Sequence, residues 1–162
     1  LAGAGLRENE AVTLKRKDYE PGMGTLRVRG KGRRERQAYL ERAFWEPPAR
    51  FLAGLLAEEG DPLLCRLAPE GSIVRPLRKI TTQAVHLALA RRGSAAGLKP
   101  FTPHDLRRSF ITRQLEGGTD PLRLARAVGH ASPKTTMIYD RRTAASDRDA
   151  IQGGCTPAAG EA

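Results

Sequence analysis

The last third of the chain places a helix-capping residue directly before a proline three times, at Thr102-Pro103, Asp120-Pro121 and Ser132-Pro133. Side-chain oxygens of Thr, Asp and Ser accept the unpaired N–H groups of a first helical turn. Proline at the next position already has a helical φ angle and has no N–H to leave unpaired. Apolar residues follow the first two pairs at helical spacing, and Gly117 and Gly129 stand where those segments would end. The pattern predicts three consecutive helices, the third of which is short and carries Tyr139.

Alternating residues near the N-terminus indicate a small sheet. Residues 25–29 and 36–40 alternate in polarity, and the turn sequence Gly30-Lys31-Gly32 lies between them. We therefore predict a β-hairpin with a lysine at its tip.

Helical spacing recurs in three further segments, which are 6–14, 47–60 and 81–93. The second opens on a proline pair and the third is capped by Thr81, while a loop rich in Pro and Gly covers 60–78. The predicted fold class is α+β and predominantly α-helical, with a small antiparallel β-sheet or hairpin near the N-terminus.

The charge of the chain favours a polyanionic partner. Lys and Arg number 28 against 18 Asp and Glu, which gives a formal charge of +10, and 22 of the basic residues are Arg. The planar guanidinium matches phosphate oxygens, so the excess suits nucleic acid, although abundant Arg, Ala and Gly also fit a GC-rich genome. No apolar run is long enough for a membrane helix and no signal pattern is visible, so we expect a soluble, cytoplasmic protein. Cys65 and Cys155 lie far apart and predict neither a disulfide nor a zinc site.

The three histidines differ in their surroundings. His104 precedes Arg107 by one helical turn, so an imidazole and a guanidinium share a helix face. His130 follows Gly129, where it could interact with the terminal carbonyls of a helix. His86 lies among apolar residues in a predicted helix, and we expect it to have a structural or surface role. Taken alone, none of these positions identifies a chemistry.

Four motifs occur in order along the chain: Gly5-Leu6-Arg7-Glu8-Asn9-Glu10, Gly30-Lys31-Gly32-Arg33-Arg34-Glu35-Arg36, His104-Asp105-Leu106-Arg107-Arg108-Ser109-Phe110, and Val128-Gly129-His130 running on to Tyr139. The ordered set, with nine residues from the last histidine to the tyrosine, resembles the tyrosine recombinase (phage integrase) family. The resemblance implies the catalytic domain of a site-specific recombinase that breaks and rejoins DNA strands.

A tyrosine suits this chemistry because a phenolate can attack phosphorus and later leave, so the covalent intermediate retains the energy of the phosphodiester. The resemblance implies that Tyr139 is the nucleophile, which forms a 3′-phosphotyrosyl bond and releases a 5′-hydroxyl. Without the other motifs, Tyr139 would be read as a packing residue at a helix end.

Fixed donors are needed where negative charge develops on the phosphate oxygens, and two arginines can each clamp those oxygens with paired N–H groups. The resemblance assigns this role to Arg7 and Arg107. Glu10, three residues after Arg7, could orient the arginine or histidine side chains from behind, or could lie on the surface.

The remaining roles concern protons. The departing 5′-oxygen needs one, and an ammonium at a hairpin tip can deliver it. The resemblance assigns this to Lys31, implies that His104 assists proton transfer at the tyrosine, and implies that His130 hydrogen-bonds to the phosphate. Weaker candidates for the general acid are Lys15, Lys17 and Lys134.

The expected partner is double-stranded DNA, with no cofactor, no metal, no membrane and no small-molecule substrate. The carboxylates are scattered and there is no GxxxxGK[ST] loop for ATP. The resemblance further implies a homotetramer on two paired DNA sites, in which 141–151 could dock on a neighbouring copy.

Two departures from the family pattern stand out. Arg108 follows Arg107 where relatives frequently have a histidine. Relatives also usually carry an N-terminal DNA-clamping domain and another helix before the first arginine, so we expect residues 1–151 to be an N-terminally truncated catalytic domain. Residues 152–162 have little to bury and are expected to be a disordered tail. Two alternatives stay open: a catalytically incompetent DNA-binding remnant, and a type IB-like topoisomerase.

Overall fold

The computed structural model describes residues 1–30, 35–46, 48–50 and 58–140. Its helices are α1 (Glu8–Thr13), α2 (Thr82–Ala95), α3 (Pro103–Glu116), α4 (Pro121–Val128) and α5 (Pro133–Met137). Its strands are β1 (Tyr19–Glu20), β2 (Thr25–Arg29) and β3 (Glu35–Tyr39), and short 3₁₀ turns occupy Arg16–Asp18 and Arg42–Phe44. The predicted helix at 47–60 falls largely outside the described residues, and the predicted tail at 152–162 falls wholly outside them.

The three pairs of capping residue and proline begin helices as predicted. In each case the capping side chain accepts a backbone N–H of the first turn. Gly129 ends α4 with φ of 70°, a left-handed conformation that glycine adopts without steric cost. The third helix, however, ends at Met137, so the prediction that it carries Tyr139 was wrong. Tyr139 lies in the turn that follows, where its N–H donates to the carbonyl of Thr136 over 3.0 Å.

The predicted end of α2 was also wrong. The helix continues through Gly93 to Ala95, and Gly93 is buried. A Cβ at this position would lie 2.7 Å from the ring of Phe101. The glycine therefore permits close packing of the following segment and does not stop the helix.

The predicted hairpin is present, and its second strand begins at Glu35, one residue earlier than expected. It belongs to a three-stranded antiparallel sheet in the order β1-β2-β3, whose two-residue first strand is too short to produce a sequence signal. Val28 and Arg36 are cross-strand partners, as are Leu26 and Ala38. Because side chains alternate across a strand, this register places Arg36 on the buried face of the sheet.

The described residues form two apolar clusters. One joins the sheet to α1, and the other joins α3 to α4 through Phe110, Ile111 and Leu124. Gly5 is flanked in the sequence by two residues of the first cluster, has φ of 59°, and a Cβ there would approach a ring atom of Phe110 in the second cluster to 2.5 Å. The contact brings the segment just before α1 onto α3. Arg7 is thereby positioned near the C-terminal end of α4.

In the part of the chain that the structure describes, no helix combines the length and the apolar character required to cross a bilayer.

Candidate active site

Arg7 stands at the N-cap of α1 and is anchored at both ends. Its backbone N–H donates to Glu10 Oε2 over 2.8 Å, and its Nη1 donates to Glu10 Oε1 over 3.1 Å. Its Nη2 donates to the carbonyl of Gly129 over 2.7 Å, which ties the start of α1 to the end of α4. The side chain stays half exposed.

Arg107 lies on α3 and is buried, with an exposed fraction of 5%. Its Nη1 donates to the carbonyl of Gly5, and its Nη2 donates to the carbonyl of Val128 over 2.8 Å. Burial, followed by the nearby charge of Arg7, lowers the pKa of Arg107 to about 10. At neutral pH the guanidinium therefore remains protonated.

The two arginines are held in place yet keep donors for a ligand. A guanidinium has five N–H groups, and Arg7 and Arg107 each use two of them in these contacts. The other three on each side chain have no partner among the described residues. Such a pair can clamp the oxygens of one phosphate from two directions.

Glu10 lies behind Arg7 and is shared with Arg36 of β3. Arg36 Nη1 and Nη2 donate to the two carboxylate oxygens over 2.9 and 2.8 Å, and Arg36 Nε donates to the carbonyl of Ala127 over 3.0 Å. Burial alone would raise the pKa of Glu10. The hydrogen bonds and charge of Arg36, with those of Arg7, outweigh burial and lower the pKa below its usual value.

His130 and Tyr139 line the same cleft as the two arginines. Their ring centroids are 6.3 Å apart, and His130 Nδ1 lies 2.8 Å from the hydroxyl oxygen of the fully buried Thr136. Burial, then the positive charges of Arg107, Arg7 and Arg36, lowers the pKa of His130 to about 4. The imidazole is therefore neutral at pH 7, with one N–H to donate.

His104 occupies the first turn of α3 and is exposed. The turn is fixed by Thr102, whose hydroxyl and backbone N–H both donate to Asp105, and these bonds lower the pKa of the Asp105 carboxyl. His104 therefore stands on a rigid helix start, with its imidazole open to solvent.

The structure brings five of the six predicted catalytic residues to one open cleft of about 500 Å³. Arg7, His104, Arg107, His130 and Tyr139 all line it. The sixth, Lys31, lies outside the described residues, as does the segment 141–151. Gly30, which precedes Lys31, lines an adjoining cleft that shares Arg7 and His130 with the first. The weaker candidates Lys15, Lys17 and Lys134 line neither cleft.

Sequence reasoning missed two neighbours of this site. Arg36 was one of many arginines, although its alternation with the buried Ala38 would have placed it on the inner face of the sheet. His86 lies at the rim of the cleft, half exposed, with Nε2 2.8 Å from Glu8 Oε2. The apolar neighbours of His86 in the sequence gave no sign of this pairing across 78 residues.

Among the described residues, no group of three or more His, Cys, Asp or Glu side chains could hold a metal ion.

Comparison with known proteins identifies the family of this chain. The model of the phage integrase family matches residues 1–146. Tyrosine recombinase XerC of Nitrobacter winogradskyi is 38% identical over 144 residues, which cover 86% of this chain and 42% of the relative. Tyrosine recombinase XerA of Thermococcus kodakarensis is 34% identical over 144 residues, covering 88% of this chain and 49% of that protein. The chain thus spans less than half the length of these two curated relatives.

Solved structures agree on the fold. A crystal structure of XerA recombinase superposes with a TM-score of 0.71 at 25% identity, covering 96% of this chain and 56% of that one. XerH site-specific recombinase, bound to its difH substrate in a pre-cleavage complex, superposes with a TM-score of 0.70 at 28% identity, covering 93% of this chain and 43% of that one. These matches and the family model together show that the chain belongs to the phage integrase family, whose relatives here are tyrosine recombinases.

Proposed function

We propose that this chain is the catalytic domain, residues 1–151, of a site-specific DNA recombinase that acts through a covalent 3′-phosphotyrosyl intermediate. The observation that carries the proposal is the convergence of Arg7, His104, Arg107, His130 and Tyr139 on one cleft. These residues come from three motifs that are more than a hundred positions apart at their extremes. Their convergence supports the interpretation that all five act on the same chemical group of one substrate.

The phosphate of a DNA strand is held by the free donors of Arg7 and Arg107. Neutral His130 adds one N–H to a non-bridging oxygen. These donors face the oxygens on which negative charge grows as phosphorus becomes five-coordinate, so they stabilise the transition state more than the ground state.

Tyr139 then attacks phosphorus. Its Oη–P bond forms as the bond from phosphorus to the 5′-oxygen breaks, and its phenolic proton passes to His104. The 5′-oxygen takes a proton from Lys31 and leaves as a hydroxyl. Rejoining reverses these steps with the 5′-hydroxyl of another strand, so no net bond energy is lost.

The proposed whole protein acts on double-stranded DNA as a homotetramer that pairs two sites. The DNA-bound state of the XerH relative supports the DNA partner. The adjoining cleft is lined by the exposed Arg126, which offers further positive charge for the DNA backbone beside the scissile phosphate.

The test is a covalent trap. The chain is incubated with a library of duplexes whose randomised region carries a nick at a fixed position, so that cleavage near the nick releases a short end that diffuses away. Protein–DNA adducts are then separated under denaturing conditions and sequenced. We expect a denaturation-resistant adduct that is lost in Tyr139→Phe and kept in Tyr39→Phe, since Tyr39 is exposed and lies outside this cleft.

Each other outcome rejects part of the proposal. An adduct that survives Tyr139→Phe would show that another residue is the nucleophile. Salt-sensitive DNA binding without any adduct would instead identify a non-catalytic DNA-binding protein. Relaxation of supercoiled plasmid without sequence preference among the trapped DNAs would identify a topoisomerase.

A further inference from the structure

Arg36 contacts two parts of the site at once through three hydrogen bonds, although it does not line the cleft that holds the tyrosine. It reaches Glu10 with both terminal nitrogens, and it reaches the carbonyl of Ala127 with Nε. Its side chain is 14% exposed and that of Glu10 is 6% exposed. Because both side chains are largely buried, removing one of them would leave the other as an unpaired buried charge. The pairing is therefore important for the position of both side chains.

We infer that Arg36 is a positioning residue for the proposed cleavage reaction: it holds Glu10 against β3 and the end of α4, and so keeps Arg7 directed at the phosphate. The inference rests on the proposed function and adds a residue to which the sequence motifs gave no role.

The argument begins with the oxygens of Glu10. Each oxygen accepts two hydrogen bonds, one from Arg7 and one from Arg36. A carboxylate has about four acceptor positions, so these four donors fill it. Without Arg36, Glu10 would have Arg7 as its one cationic partner among the described residues. Glu10 would then compete with phosphate for the N–H donors of Arg7.

The second step concerns the end of α4. Arg36 holds the carbonyl of Ala127, and Arg7 and Arg107 hold the carbonyls of Gly129 and Val128. Three consecutive carbonyls are therefore bound by three arginines. His130, which follows directly, is placed by the same contacts.

The third step concerns the hairpin. Arg36 follows Lys31 by five residues in the sequence and lies on β3, the strand that pairs with β2. The Arg36 contacts thus join this hairpin to Glu10 and α4. A misplacement of about 1 Å at a reacting phosphate can cost about 100-fold in rate, so a lost anchor affects the chemical step.

The test measures single-turnover adduct formation at saturating DNA, together with the dissociation constant for the same DNA. We expect Arg36→Gln to slow adduct formation about 10- to 100-fold while changing the dissociation constant less than about threefold. Arg36→Lys keeps the charge but cannot make all three hydrogen bonds, so its rate of adduct formation should fall between those of the unmodified chain and Arg36→Gln. The matched control is Arg27→Gln on β2, because Arg27 is exposed and pairs with Gln37 on the outer face of the same hairpin.

A double variant shows whether Arg36 acts through Glu10. If it does, Glu10→Gln combined with Arg36→Gln should be no slower than the slower single variant, because the two changes disrupt one unit. Thermal midpoints of all variants separate lost folding from a lost chemical step, and Arg36→Lys keeps the test readable if Arg36→Gln unfolds.

Three results would overturn the inference: a wild-type cleavage rate in Arg36→Gln, rate losses that multiply in the double variant, or a loss confined to DNA affinity. The last would make Arg36 a simple phosphate contact. If the unmodified chain forms no adduct while still binding DNA, the proposed function fails and the inference fails with it. An active unmodified chain with an unaffected Arg36→Gln variant rejects the inference alone.

Discussion

The guanidinium carbon of Arg108 lies 5.7 Å from the centroid of the Tyr139 ring, so a positive charge faces the proposed nucleophile. Arg108 immediately follows the buried Arg107 on α3 and is itself exposed. Attraction between a cation and an aromatic face strengthens as the ring gains electron density. The contact therefore favours the transition state over the resting phenol.

Arg108→Gln should slow adduct formation about 2- to 5-fold at neutral pH, the size expected for a cation–π contact at an exposed site. Arg108→Lys should lose less because it keeps the charge. Single-turnover cleavage on trapped DNA measures both, with Arg91→Gln on the exposed surface of α2 as the control. An unchanged rate in Arg108→Gln would show that the contact is incidental.

Thr136 sets the hydrogen bonding of His130. Its hydroxyl is fully buried and lies 2.8 Å from Nδ1. When the hydroxyl donates to Nδ1, the proton of the neutral imidazole is on Nε2, where it can be donated to phosphate. Thr136→Val should therefore slow cleavage by about tenfold or less, the value of one hydrogen bond.

The control for this variant is Thr119→Val, which removes a hydrogen bond to Gln114 outside the proposed catalytic cleft. Both variants should lower the thermal midpoint, but Thr136→Val alone should change the cleavage rate. Equal rate losses in the two would reduce the role of Thr136 to packing.

Much of the candidate site could be predicted because its proposed catalytic residues occur in ordered motifs. Arg7, Arg107 and Tyr139 were each located from their neighbours in the sequence, and the structure places all three on one cleft. The helix starts were equally clear because a capping side chain followed by proline is a local signal. The three-stranded sheet was only partly predicted, since a two-residue β1 is formed by its pairing with β2.

What could not be predicted depends on contacts between distant segments. Arg36 is distinguished from the other arginines only by Glu10, 26 positions earlier, and by Ala127, 91 positions later. A glycine such as Gly93 predicts a helix end, and the packing of Phe101 against it is not visible in the local sequence.

The lowered pKa of His130 makes a prediction about stability. Its pKa is about 4 in the folded chain against 6.5 ordinarily, through burial and the charges of Arg107, Arg7 and Arg36. As the pH falls from about 6.5 to 4, the unfolded chain binds a proton that the folded chain excludes, so stability falls through this window. Above 6.5 both states are neutral and the effect vanishes.

His130→Gln removes this contribution, so the wild-type chain should lose more stability than the variant between pH 7 and pH 4.5. With allowance for solvent screening of a half-buried side chain, the difference should be about 1 kcal/mol, or about 2 to 4 °C in thermal midpoint. Thermal unfolding of the two proteins across this range measures it. Parallel curves would contradict the assigned pKa shift.

Gly129 combines a left-handed backbone with close contact to Arg36. Its φ is 70°, and a Cβ there would lie 2.9 Å from the guanidinium carbon of Arg36. Gly97 has nearly the same φ, 67°, with open space around it. Alanine at either position should cost about 1 to 2 kcal/mol of folding stability from backbone strain.

The two alanine variants should differ in activity. Gly129→Ala displaces Arg36 and the carbonyl that anchors Arg7, so its cleavage rate should fall well below that of Gly97→Ala. Denaturant unfolding and single-turnover cleavage, measured on both proteins, separate strain from catalysis. Matching activities would mean that the neighbourhood of Gly129 adjusts without moving the arginines.

Arg126 tests whether the second cleft follows the DNA backbone. It lines that cleft near the C-terminal end of α4, beside Arg7 and His130. A side chain that neutralises one phosphate releases about 0.9 of a counterion, so Arg126→Gln should reduce the slope of log affinity against log salt by about 1.

Arg42→Gln serves as the control because Arg42 stacks over Trp45 and lines neither cleft. Titration of each protein onto duplex DNA across a range of salt concentrations gives the slopes. A reduced slope in Arg126→Gln alone would place DNA along this cleft, whereas equal reductions would indicate that the basic surface binds DNA without a preferred path.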